Sequence, residues 1–86
     1  MSRYRIELLP AALRALRKLD PPTALRVRGA VALLAVDPHP PAARAQRGRP
    51  GWRVRVGDYR VIYVIEDDVL LVVVLTLGHR SDVYKR

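Results

Sequence analysis

The chain has no cysteine in its 86 residues, so no disulfide can compensate for a small core, and a cytoplasmic location is predicted. Histidine is nearly as scarce. His39 and His79 fall in different elements without ligand spacing, which predicts no metal site and no cofactor. Long apolar runs are also missing: the longest, Val69 to Leu77, is nine residues and includes Thr76. A membrane helix needs about 20 apolar residues, so this run is expected to be a buried strand and no membrane partner is predicted. Met1 to Pro10 is charged and alternating, without the apolar segment of a secretory signal. Neither an internal repeat nor a linker interrupts residues 1–86, which predicts a single domain. At this length a chain buries only about 60–65% of its unfolded surface, so its stability is expected to be marginal.

Acidic residues are in short supply: eight Asp and Glu stand against sixteen Lys and Arg, for a net charge of +8. The excess is uneven. Residues 1–43 carry +4, residues 44–60 carry +5 from six arginines against Asp58, and residues 61–86 carry −1. Basic side chains in the first half are scattered around helices and read as a solvated face. The dense block at 44–60 reads as a patch that attracts a polyanion, either nucleic acid or an acidic protein segment.

Periodicity sets the element order. Arg3 to Leu8 alternates, predicting a strand with Tyr4, Ile6 and Leu8 inward. Pro10 suits the first turn of a helix carrying Leu9, Leu13 and Leu16 as its apolar face. Asp20 is placed to cap a second helix, with Pro21 and Pro22 in its first turn and Val27, Val31 and Leu34 as its stripe, ending near Val36. Gly29 inside that helix costs about 1 kcal/mol relative to alanine, which suggests close helix packing. Asp37-Pro38-His39-Pro40-Pro41 terminates the helix, and 42–51 reads as a basic loop containing Arg47 and Arg49. Strands are expected at 52–56, 59–66 and 69–77, joined by a type II′ turn at Gly57-Asp58 and a tight turn at Asp67-Asp68. The result is an α+β fold, βααβββ: an N-terminal strand, a helical hairpin and a three-stranded antiparallel meander.

On the first of those three strands, Trp52, Val54 and Val56 point one way and Arg53 and Arg55 the other. Two arginines at i and i+2 stand about 7 Å apart, close to the phosphate repeat of a single RNA strand. Arg60 opens the next strand, Arg80 ends the last, and Tyr84 follows. Tyr59, Tyr63 and Trp52 are expected in the core, and alternation turns His79 away from Arg80 unless Gly78 kinks the strand.

Two segments, Trp-Arg-x-Arg-Val-Gly-Asp-Tyr-Arg-Val-Ile-Tyr at 52–63 and Gly-His-Arg-Ser-Asp-Val-Tyr at 78–84, make the chain resemble toxins of the RelE/ParE superfamily from bacterial type II toxin–antitoxin modules. The resemblance spans essentially the whole chain and implies a RelE-like fold. One branch of that superfamily cleaves messenger RNA in the ribosomal A site, and the other poisons DNA gyrase without cutting anything itself. For the RelE branch the resemblance assigns function to Arg53, Arg55, Arg60, Arg80 and Tyr84. Both second-strand positions, lysines in a well-studied RelE, are arginines here, and Gln46 precedes Arg47-Gly48 where many relatives have an apolar residue.

The reaction so implied is a metal-independent attack of a ribose 2′-OH on the adjacent phosphate. Arginine is permanently charged and forks onto two phosphate oxygens, so Arg80, with Arg60 beside it, is assigned to the charge that grows on phosphorus. With a pKa above about 12, arginine is a poor proton carrier, so Arg53, Arg55, Arg47 and Arg49 are read as RNA-holding. Tyr84 is left as base or orienter, its phenolate favoured by neighbouring arginines. The resemblance further implies a cognate acidic antitoxin, operator DNA reached through that antitoxin, and a ribosome carrying mRNA. Gyrase inhibition stands as the alternative, and a binding-only homologue is the third.

Overall fold

The structure, a computed structural model, describes residues 3–79. Its element order is β1 (Arg5–Leu8), α1 (Pro10–Arg17), α2 (Pro21–Leu34), β2 (Ala43–Ala45), β3 (Trp52–Val56), β4 (Tyr59–Glu66) and β5 (Leu71–His79). The strands form one sheet in the order β1-β5-β4-β3-β2, in which β1 runs parallel to β5 and every other pair is antiparallel. Both helices pack on one face. The α+β class and the helical hairpin are as expected, and among the described residues the strands number five rather than four.

Local chemistry explains the helix starts. Pro10 and Pro21 each occupy a first helical position, where the missing N–H would have no partner in any case. The Asp20 carboxylate accepts a hydrogen bond from the Thr23 backbone N–H at 3.3 Å. Hydrogen bonding to Thr23, through side chain and then backbone, holds the Asp20 carboxyl below its usual range. Val27, Val31 and Leu34 are buried as the stripe requires, and α2 ends at Leu34 with Ala35 as its cap. Two details of the helices differ from expectation. Leu13 is 39% exposed, and Ala12 takes the buried position beside Leu16. Gly29 is exposed, and a Cβ built on it meets nothing within 4 Å, so helix packing does not account for it.

β2 lies inside the stretch expected as loop. Alanine and arginine carry little intrinsic strand preference, so it is pairing with β3 that makes Ala43–Ala45 a strand. β5 runs from Leu71 to His79 instead of 69–77, because the turn before it is longer than two residues. Asp67–Val69 forms a 3₁₀ turn closed by Leu70 at φ 51°, the only described non-glycine residue with positive φ. At Gly57, φ is 61° while Asp58 keeps negative φ, which fits the expected II′ hairpin.

One irregularity decides which side chains of β5 face which way. Ile62 pairs with Thr76 and Tyr63 with Val74, leaving Leu75 as the extra residue of a β-bulge. The core therefore receives Val72, Val74 and Leu77, an odd step that strict alternation forbids. Around these residues Tyr63, Leu34, Val27 and Val61 are fully buried. The Tyr63 hydroxyl donates to the Pro38 carbonyl at 2.8 Å, tying the 37–41 loop to the sheet. Burial, with Asp37 as a smaller cause, pushes its pKa up to about 12.

Candidate functional site

The sheet face away from the helices carries the arginines. Arg55 sits directly opposite Arg60 across the β3–β4 pair. One row along, Arg53 faces Ile62 on that side and Arg44 of β2 on the other. Together with Ala42, these four arginines line a cleft of about 270 Å³. Alternation puts them there: Val54 points into the core while Arg53 and Arg55 point outward, and Arg60 alternates with buried Val61.

Two guanidinium groups are oriented by backbone carbonyls. Arg55 Nε donates to the Gly57 carbonyl at 2.9 Å, which makes the hairpin turn part of the site. Arg44 Nη1 donates to the carbonyls of Pro41 at 2.7 Å and Ala43 at 2.9 Å. These bonds fix the planes of the forks and leave the other N–H groups for a ligand. A Cβ on Gly57 would come within 3.2 Å of Arg26 Nη2 from α2, the mobile end of an exposed side chain, so it is the φ of 61° that restricts residue 57.

The arrangement carries an electrostatic cost. Like charges directly opposite each other on neighbouring strands destabilise a sheet, on the scale of about 0.2–1 kcal/mol per pair. Here two such pairs, Arg55 with Arg60 and Arg44 with Arg53, stand in adjacent rows. An anion bridging several guanidinium groups reverses the sign of the interaction, and phosphate oxygens match the bidentate fork.

Of the residues singled out in the sequence, Arg53, Arg55 and Arg60 come together in this cleft. Arg80 and Tyr84 lie outside the described residues. Arg47 is exposed beside Gly48, at the turn between β2 and β3, and is not among the cleft's lining residues. Arg49 borders a neighbouring groove. His79 stands opposite Tyr59 on the helix-covered face, ring centroids 5.7 Å apart, while Gly78 takes the position opposite Arg60. Imidazole is thereby turned from the arginines of the cleft, and the expectation for His79 against Arg80 lies outside the described residues. Tyr63 is fully buried, Tyr59 only partly. Trp52 packs against the core with its ring edge-on to His39 at 4.8 Å, which removes it from the arginine face.

Arg44 is the site residue that sequence reasoning missed. Its signal was the short alternation Ala43-Arg44-Ala45, hidden in a stretch whose glycines and prolines read as loop.

A family model described as the ParE toxin of type II toxin–antitoxin system, parDE, matches residues 6–84. Toxin RelG of Mycobacterium tuberculosis (strain ATCC 25618 / H37Rv) is 34% identical over 85 residues, covering 96% of this chain and 98% of RelG. Among solved structures, the toxin–antitoxin complex RelBE2 from Mycobacterium tuberculosis has a chain 30% identical with a TM-score of 0.82, covering 95% of this chain and 97% of that one. A chain of the archaeal RelE–RelB complex from Pyrococcus horikoshii OT3 is 26% identical, with a TM-score of 0.79 and coverage of 93% and 98%.

Proposed function

The chain belongs to the ParE toxin family and is a toxin of a type II toxin–antitoxin system with a RelE-like fold; on that premise we propose that it is a ribosome-dependent endoribonuclease acting on mRNA in the cytoplasm. The observation that supports this reading is the four-arginine cleft, built from two repulsive cross-strand pairs on the open face of the sheet. Permanent charges with bidentate forks at that density suit successive phosphates of a nucleic-acid strand.

In the proposed reaction the 2′-OH of a ribose loses its proton and its oxygen bonds to the adjacent phosphorus. The bond from phosphorus to the 5′-oxygen breaks, and that oxygen takes up a proton. Arg53 and Arg55 hold the RNA strand, with Arg47 and Arg49 extending the basic track. Arg60 and Arg80 stabilise the pentacovalent phosphorus, and Tyr84 serves as base or orienter. Removing one donor of this kind typically slows chemistry by about 10²–10³. Arg60→Ala and Arg80→Ala are therefore expected to slow single-turnover cleavage on saturated ribosomes by that factor, with ribosome affinity nearly unchanged. Tyr84→Phe keeps the ring and removes one oxygen, so it separates chemistry from packing. The partners in this reading are mRNA on the ribosome and a cognate acidic antitoxin, in the place that RelB takes in the RelE–RelB complexes, through which operator DNA is contacted.

The match to the ParE model supports a second reading, gyrase inhibition without nuclease activity. Primer extension on cellular mRNA after induction, run beside a supercoiling assay, separates the two. Codon-periodic cuts support the nuclease. Trapped gyrase–DNA breaks with uncut mRNA overturn it.

A further inference from the structure

Next to the arginine cleft, on the same open face, lies a groove of about 360 Å³ that the proposed chemistry uses only through Arg49. Ile62, Val64 and Leu75 form its apolar walls, and Gln46, Thr76 and Arg49 supply its polar groups. The two sites adjoin through the strand register. Arg53, Ile62 and Thr76 occupy one row across β3, β4 and β5, and Arg55, Arg60 and Gly78 occupy the next. Successive rows on one face are about 7 Å apart, which is one nucleotide step along an extended strand.

The groove owes its composition to the bulge. Leu75 and Thr76 are consecutive, yet both line it, between Val74 and Leu77 in the core. Only the extra residue at Leu75 permits two neighbours to share a face, and bulges are over-represented beside active sites. Gln46 is also held in place: its Nε2 donates to the Pro50 carbonyl at 2.8 Å and its backbone N–H to the Gly51 carbonyl at 3.0 Å. Gly51 is required for that closure. Its φ is 103°, and a Cβ there would lie 2.8 Å from the Tyr63 carbonyl oxygen. The amide oxygen of Gln46 is left as an acceptor in fixed position, and the Thr76 hydroxyl both donates and accepts.

We propose that this groove is a nucleobase pocket, taking the base adjacent to the phosphate held in the arginine cleft, with Gln46 and Thr76 reading its edge. The inference rests on the RNA reading of the cleft. An apolar slot with few fixed polar groups is what a planar heterocycle with a hydrogen-bonding edge requires. The volume is at the small end for ligand pockets, suited to one base rather than a chain of them. A second copy of this protein is disfavoured as occupant by its net charge of +8 and by Arg49 at the rim.

The test is a methyl and arginine NMR titration of the full chain with each of the four nucleoside 3′-monophosphates, with ribose 5-phosphate and with inorganic phosphate. All of these probes are expected to shift the Nε–H signals of Arg53, Arg55 and Arg60, and only the nucleotides to shift the methyls of Ile62, Val64 and Leu75. The four nucleotides should differ in affinity, and Thr76→Val or Gln46→Leu should compress that difference at least threefold while the phosphate response stays unchanged. Arginine signals that move while the methyls stay still overturn the base pocket and leave the phosphate site standing. If neither set moves, the RNA reading fails and the pocket with it. Methyl shifts that follow protein concentration alone, or that only an acidic amphipathic peptide elicits, assign the groove to a second copy or a protein partner and overturn the proposal.

Discussion

At the scale of single residues, site and core make opposite demands. Arg53 faces Arg44 across β2–β3, so reversing its charge converts repulsion into attraction. Arg53→Glu is expected to stabilise the fold by about 0.5–1 kcal/mol, a rise of roughly 2–8 °C in melting temperature for a domain of this size. The same change should abolish RNA binding. A melting temperature that falls, with the fold otherwise native, would show that Arg53 is held by structural contacts rather than by function. Tyr63 is the reverse case, a buried polar group that serves only the fold. Its hydroxyl donates to Pro38, and its pKa stands near 12 against an ordinary value of 10. Because the folded value is raised, the stability tied to this group is complete below about pH 10 and is lost as pH climbs through 12. Tyr63→Phe should flatten the stability profile across that window. It should also lower neutral-pH stability by about 0.5–1.5 kcal/mol, since the Pro38 carbonyl loses its donor. Urea melts at pH 8 and pH 11 check both halves; identical pH slopes in the two proteins would exclude the assignment.

At the scale of elements, the sequence was legible wherever period and punctuation agreed. α2 shows both: Asp20 and Pro21 mark its start, and the Val27, Val31, Leu34 stripe is buried as spaced. β3 and β4 were legible to the residue because Gly57 breaks two alternating runs of different parity. Their alternation also brings Arg53, Arg55 and Arg60 to one face, so most of the cleft is legible in the sequence. What could not be read depends on partners distant in sequence. β2 exists through pairing with β3, and with it Arg44 joins the cleft. The bulge at Leu75 follows from fitting β5 to β4, since nothing in a continuous apolar run marks where parity changes. Gly29 shows the limit of propensity reasoning, because a glycine in mid-helix suggested contact and the structure shows open space around it. Gly29→Ala is therefore expected to stabilise the protein by about 0.4–1 kcal/mol through helix propensity and a less flexible unfolded chain. Gly51→Ala is the contrasting case and should destabilise, with its positive φ and a carbonyl 2.8 Å from the new methyl. Denaturant midpoints moving in the same direction for both would contradict this account.

At the scale of the whole molecule, a small core coexists with a net charge of +8 and a cleft of like charges. Each strains the folded state, and without cysteine no cross-link offsets them. In the proposed reading, an acidic antitoxin would relieve both at once by adding buried area and neutralising the cleft. A partner that binds only the native state contributes RT ln(1 + [L]/Kd), about 4 kcal/mol at a thousandfold excess over Kd. For a domain of this size that corresponds to a rise of roughly 15–30 °C in melting temperature. Relief of charge and burial of apolar surface respond differently to salt, which separates the two contributions. If neutralisation of the arginine cleft matters, the rise should shrink as salt goes from about 0.05 to 0.5 M, because exposed charges are screened within a few ångströms at the upper value. It should shrink less for Arg44→Gln and Arg53→Gln, which have already lost part of the repulsion. A partner-induced rise that is independent of salt in all three proteins would place the antitoxin on apolar surface alone and leave the cleft to RNA. If the melting temperature is the same with and without the co-encoded partner, stabilisation by that partner is excluded altogether.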